Sequence, residues 1–156
     1  MENMSGKTNS VFRHRKTQTN NGHTMEREES TMLETGIRGE QTETVREEIT
    51  AARIGSGELP VLATPAIIAL AEKTAWTSVA DELEDSQGTV GSRVDIAHIA
   101  PTPVGQDIRC ETELTEIDGR RLVFTVTVFD ERGKVAEGTH ERFIIENTKF
   151  MEKANR

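Results

Sequence analysis

The stretch from Ala63 to Leu83 limits the fold more than any other part of the chain. It opens with Thr64-Pro65, a hydroxyl suited to a helix N-cap followed by proline at the first helical position. Ala66, Ile67, Ile68, Ala69, Leu70 and Ala71 come next, with Ala75, Trp76, Val79, Ala80 and Leu83 beyond them. The first half is apolar nearly all round, the composition of a helix buried inside its domain. Glu84-Asp85-Ser86-Gln87-Gly88 predicts the turn that ends it. Such a helix needs something large to cover it, and the rest of the chain has to supply that cover.

Beyond Gly88 the chain alternates with a period of two. Thr89 to Ile99 places Val90, Val94, Ile96 and His98 on one face, the face expected to pack on the helix. Pro101-Thr102-Pro103-Val104-Gly105 interrupts the run. Gln106 to Ile117 alternates through Ile108, Cys110, Thr112 and Leu114, and Asp118-Gly119 is a strong hairpin signal. Arg121 to Phe129 returns with Leu122, Phe124, Val126 and Val128 on one face. After the turn Asp130-Glu131-Arg132-Gly133, Val135 to Glu146 predicts a last long strand. Before the helix, Thr42 to Ala52 reads as a strand and Gly55-Ser56-Gly57 with Pro60 as a loop. The plan is α+β, an antiparallel sheet wrapped around one long central helix.

Residues Met1 to Thr31 are almost wholly polar, so the hydrophobic content of 34% is concentrated in residues 32–156, which form the domain. A segment so poor in apolar side chains predicts a disordered tail, because little buried surface offsets its ordering entropy. It carries a basic cluster, Arg13-His14-Arg15-Lys16, and Met25 and Met32 each offer an alternative start. The net charge of −8 argues against nucleic acid or an anionic membrane as partner, since both attract cationic faces. No apolar run approaches the roughly 20 residues that span a bilayer, and no signal-peptide core is visible. Cys110 is alone, so there is no internal disulfide, and no Cys/His cluster has zinc-ligand spacing. These features predict a cytoplasmic protein without a structural metal, in which Cys110 is a small core residue.

Three residues stand out chemically. Glu72 ends the most apolar run of the chain, where a carboxylate is costly unless something nearby needs it. A boundary glutamate beside Lys73 is the structural alternative. Thr64, eight residues earlier, lies about 12 Å of helical rise from it, and helical side chains lean back toward the N-terminus. Taken alone, Thr64 reads equally as the N-cap. His98 closes an alternating strand beside an irregular segment, and it titrates near neutrality. A core histidine is its structural alternative. His140 lies within a regular strand, and Arg142 is a candidate anion-binding residue.

Val61-Leu62-Ala63-Thr64-Pro65-Ala66-Ile67-Ile68-Ala69-Leu70-Ala71-Glu72 resembles the central helix of the fluoroacetyl-CoA thioesterase-like branch of the hotdog superfamily. Gly88-Thr89-Val90-Gly91, the run from Val94 to Gly105, and Glu137-Gly138-Thr139-His140-Glu141-Arg142-Phe143 resemble it too. The likeness covers about Gly36 to Met151 with the spacing between motifs kept. It implies hydrolysis of an acyl-CoA thioester, with Thr64, Glu72 and His98 as catalytic residues. It also implies Gly91 as a glycine whose backbone approaches substrate and Arg142 as a contact to coenzyme A. Glu72 would act on the thioester carbonyl carbon as nucleophile or through water, His98 would assist proton transfer, and Thr64 would orient the charged partners. No separate cofactor is implied, coenzyme A being part of the substrate. A homodimer is implied, since hotdog domains pair their sheets, and an uncovered sheet edge points the same way.

Two departures bear on the acyl group. Pro65 follows Thr64 where the fluoroacetyl enzyme has glycine, and Ile54-Gly55-Ser56-Gly57-Glu58-Leu59 lacks the phenylalanines that lid that enzyme's pocket. The acyl group is therefore left open. The rival readings are a non-catalytic acyl-CoA-binding hotdog module, acting as sensor or scaffold, and a hydratase, whose usual acid–base motif is not visible.

Overall fold

The computed structural model describes residues 9–13 and 29–156. Its main sheet has five strands in the order β3-β5-β6-β7-β4: Arg38–Thr44 (β3), Gln87–His98 (β4), Asp107–Asp118 (β5), Arg121–Asp130 (β6) and Gly133–Glu146 (β7). Every pairing is antiparallel. Gly119, with φ of 59°, and Gly133, with φ of 141°, turn the two hairpins that join β5, β6 and β7. β4 precedes these strands in the chain yet lies at the far edge, so the chain must cross the sheet to reach it. The crossing is α2, Thr64–Val79, which packs on the inner face and contacts all five strands.

The helix buries one stripe and not its whole circumference. Ile67, Leu70, Ala71, Thr74, Ala75 and Val79 face the sheet, the repeat expected of an amphipathic helix. The all-round burial predicted for its first half is not what the single chain shows: Ala69 there is exposed and Ile68 half-buried, and Trp76 further on is 46% exposed. Two clusters of side chains cover the stripe. Val45, Leu62, Ile108, Cys110, Val126, Val128, Val135 and Ala136 pack with Ile67, Leu70 and Ala71 at one end. Leu33, Leu83, Leu114, Leu122, Phe124 and Ile144 pack with Ala75 and Val79 at the other. Cys110 is buried in a strand, as predicted.

Other elements depart from the sequence reading. The strand expected over Thr42 to Ala52 ends at Thr44; a 3-10 turn, Glu47–Ile49, and a short helix α1, Ala51–Ile54, take its place. Thr50 caps α1 through its hydroxyl, a local bond that competes with strand pairing. A C-terminal helix α3, Asn147–Ala154, comes after β7. Within the predicted disordered tail, Asn9–Arg13 (β1) and Glu29–Leu33 (β2) pair as a separate antiparallel ladder. Such a ladder uses backbone groups, so a polar composition does not forbid it. The rest of that tail, including His14, Arg15 and Lys16, lies outside the described residues.

A β-bulge changes the inner face of β4. Its register against β7 shifts between Gly91 and Arg93, leaving Ser92 as the extra residue. Thr89 and Gly91 therefore share the inner face with Val94, Ile96 and His98, opposite Ile144, Arg142, His140, Gly138 and Ala136 in turn. The uninterrupted alternation predicted from sequence would have put Val90 there; the bulge sends Val90 outward and brings Gly91 in.

Gly138 lies opposite Ile96 in the pairing of β7 with β4. A side chain there would meet the backbone of Asp95 and Ile96, which has no room to yield. Gly138→Ala is expected to lower stability by about 1–3 kcal/mol. Urea denaturation monitored by circular dichroism measures this as a lower midpoint, and an unchanged midpoint would show that the strands part at no cost.

Candidate active site

The inner face of β4 and β7 carries polar groups where α2 crosses them. Arg142 is 5% exposed, unusually low for a charged side chain. Its position is fixed by four hydrogen bonds. Nε donates to Thr89 Oγ1 at 2.8 Å and Nη2 to the Thr89 carbonyl at 2.9 Å. Nη1 donates to Glu72 Oε2 at 3.0 Å and lies 3.1 Å from His140 Nε2. A guanidinium has five N–H donors, so little capacity is left for another ligand. In this structure Arg142 forms an inward-facing bridge between Glu72, Thr89 and His140.

Glu72 lies at the edge of the buried helical stripe, its side chain 40% exposed. Arg142 holds the carboxylate through one oxygen, Oε2. Gly91 lies directly beneath: a Cβ there would collide with Glu72 Oε2 and press on His140 Cε1. The missing side chain leaves the space that the carboxylate occupies, and the bulge at Ser92 points that space at the helix.

His140 is 1% exposed. Nδ1 lies 2.8 Å from the Arg93 carbonyl, which can only accept, so Nδ1 carries the proton. Nε2 then accepts from Arg142, which can only donate. The ring is neutral, and burial holds its pKa below the ordinary value; the Arg93 carbonyl and the Glu72 and Glu141 charges pull the other way. Burial also lowers the pKa of Arg142, against the opposing effect of Glu72.

Thr64 and His98 form a second group. Thr64 Oγ1 and His98 Nδ1 are 2.9 Å apart, while His98 Nε2 is buried without a hydrogen-bond partner. Thr64 is not the N-cap: Ala63 holds that position without a side-chain cap bond, and Pro65 falls one residue further into the helix than predicted. The irregular segment after His98 is tied down by Asp130, which accepts from Thr102 Oγ1 at 2.9 Å and from the Arg132 amide at 2.8 Å. Burial would raise the Asp130 pKa, but these donors outweigh it and hold the carboxyl below its usual range. Arg132 also donates to the Pro101 carbonyl at 2.6 Å.

The structure thus joins Thr64 to His98, and Glu72 to Arg142 and Gly91, but among the described residues no hydrogen bond joins the two groups. About 12 Å of helical rise separates them along α2. Sequence reasoning passed over His140 and Thr89. The available signal was the two-residue spacing of His140 and Arg142, which puts them on one strand face. Among the described residues, no cluster of three or more His, Cys, Asp or Glu could hold a metal ion, and no helix is long and apolar enough to cross a membrane.

Residues 45–148 match the family described as fluoroacetyl-CoA-specific thioesterase. The fluoroacetyl-CoA thioesterase of Streptantibioticus cattleyicolor is 34% identical over 93 residues, covering 60% of this chain and 67% of that one. A solved structure of a fluoroacetyl-CoA thioesterase superposes with a TM-score of 0.75 at 29% identity, covering 79% of this chain and 96% of that one. A thioesterase superfamily member from Thermus thermophilus, at 23% identity, superposes with a TM-score of 0.73 over 78% of this chain and 90% of its own. The last likeness bears on fold alone; together with the five-stranded sheet and its crossing helix, it identifies the hotdog arrangement.

His140 gives this site a pH signature. Because its folded pKa is depressed, the unfolded chain takes up a proton first as pH falls. Its contribution to stability is complete above about 6.5 and declines as pH drops below that toward the folded value. Urea midpoints should therefore fall between pH 7 and pH 5.5, and His140→Gln should show a shallower fall. Equal slopes would remove His140 as the cause.

Proposed function

Since the chain belongs to the fluoroacetyl-CoA-specific thioesterase family, and is accordingly a thioester hydrolase, we propose that it cleaves an acyl-CoA to the free acid and coenzyme A. The observation that carries this reading is the Glu72 carboxylate, anchored through one oxygen by buried Arg142 and lying over Gly91. Glu72 acts at the thioester carbonyl carbon, directly or through a water it deprotonates. The new C–O bond displaces the C–S bond, and the departing thiolate gains a proton; on the direct route water then opens the acyl–Glu72 anhydride, giving the free acid and restoring the carboxylate. His98, with Nδ1 engaged by Thr64 and Nε2 unpartnered, manages that proton.

The distance between the two groups supports a homodimer in which each site takes residues from both copies. β4 forms an edge of the sheet, and such an edge has unpaired backbone groups. Two copies joined antiparallel about Val94 and Asp95 of β4 would bring Gly91 of one alongside His98 of the partner subunit. The exposed Phe143, Ile99 and Trp76 would lose water-facing surface in such a pair. The acyl group remains unassigned, and the exposed Leu59 belongs to the loop where selectivity would be sought.

A thiol-release assay across short, branched and aromatic acyl-CoAs tests the activity. Wild type should turn over at least one, and Glu72→Gln should lose about 100-fold or more in kcat. Binding without turnover by both would instead support the non-catalytic module. Co-folding Glu72→Gln with His98→Ala tests the shared site. Mixed dimers with one intact site should restore about a quarter of wild-type turnover if pairing is random. If both residues act within one chain, the mixture stays inactive.

A further inference from the structure

The inner face holds one group that the proposed chemistry does not use, the His140 ring. Each link among its hydrogen-bonding neighbours has a fixed direction, and all of them lead outward from Arg142. The Arg93 carbonyl accepts from Nδ1–H, Nε2 accepts from one Nη1–H of Arg142, and the other Nη1–H goes to Glu72 Oε2. Reversing any link would set donor against donor or acceptor against acceptor. The chain of links spans from the bulge, where Arg93 follows the extra residue Ser92, to the carboxylate.

We propose that His140 is a positioning residue for hydrolysis: as a neutral acceptor it aims the Arg142 guanidinium, and through it fixes the Glu72 carboxylate beside Gly91. This rests on Glu72 carrying the hydrolysis proposed above. The geometry supports a role beyond core filling, because Phe124, paired with His140 across the strands at a ring-centroid distance of 6.4 Å, already supplies apolar bulk. A purely space-filling position would accept a second phenylalanine. Nη1 has two hydrogens, and without His140 one of them would lose its acceptor on the buried side of the guanidinium. The guanidinium could then turn toward another partner, and the carboxylate would lose its fixed direction. The charged groups around the ring are Arg142 on the same strand, Glu72 on α2, and Glu141 on the opposite face of β7. Protonation of His140 would put Nε2–H against Nη1–H and break the chain at that link.

The full-length wild-type protein supplies the first test, independent of activity. Long-range 1H–15N spectra at pH 7.5 should show His140 protonated on Nδ1 and bare on Nε2; an Nε2–H tautomer would overturn the proposal. The second test compares His140→Gln, whose amide oxygen can still accept from Arg142, with His140→Phe, which cannot. His140→Phe should lose roughly 10–100-fold in kcat with KM within about twofold, while His140→Gln stays within several-fold of wild type. Equal kcat in wild type and His140→Phe would overturn the positioning role, as would equal losses in the two variants. Should wild type hydrolyse no acyl-CoA, the proposed function fails, yet the spectra still decide the direction of the links at His140.

Discussion

A guanidinium cannot shed its charge at any pH a protein meets, so a chain that buries one must surround it with acceptors. Arg142 is buried, and leaving it unpaired there would cost several kcal/mol. Its acceptors come from distant parts of the chain: Thr89 is 53 residues away and Glu72 is 70. Meeting that demand fixes the crossing of α2 over the edge of the sheet and the face that β4 turns inward. The bond to Glu72 is not evidence of large stability, because that carboxylate is 40% exposed and partly solvated. Its consequence is orientation: one oxygen is held, and the other remains available for chemistry.

The inner face therefore divides into three parts. Apolar clusters at the two ends of α2 hold the helix on the sheet. Between them the Arg142 network replaces packing with directional bonds, and at the helix start Thr64 and His98 form a second polar pair. Under the proposed hydrolysis neither polar group suffices alone, since a carboxylate without proton management and a histidine without an attacking group would each do half the work. In the proposed homodimer the open edge of β4, which lies beside both, would bring the two groups together.

Much of this was legible in the sequence, and the failures have local causes. The long helix, the four long strands after it and the turns at Gly119 and Gly133 came from periodicity and turn chemistry, which short-range sterics enforce; that β4 pairs with β7 and not with β5 did not. Thr64, Glu72, His98, Gly91 and Arg142 were all singled out, yet their grouping was not. Spacing along a helix gives distance along one axis, whereas the partner of each residue depends on which strand lies opposite. Thr64 looked like a cap because a hydroxyl before proline usually is one, but His98 offered it a tertiary partner. Arg142 was singled out as a candidate anion binder, and its burial against Thr89, Glu72 and His140 was not visible because charged residues are mostly exposed. The strand predicted over Thr42 to Ala52 ends at Thr44, and Thr50 beyond it bonds locally to cap α1. His140 was passed over because a regular strand position shows nothing of the carbonyl that will face it.

The register shift at Ser92 has a consequence for how this strand can vary. An extra residue acts as a change of phase: positions before it and after it obey opposite parity, and only their sum places Gly91 and His98 on a common side. Substitution at Ser92 leaves the phase intact, whereas drawing Ser92 into the ladder opposite Arg142 would invert every position from Gln87 to Gly91 with the composition unchanged. Glu72 would then meet the side chain of Ser92 in place of a glycine. For this strand, pairing register is the more tightly held quantity, and the identity of the inserted residue the freer one.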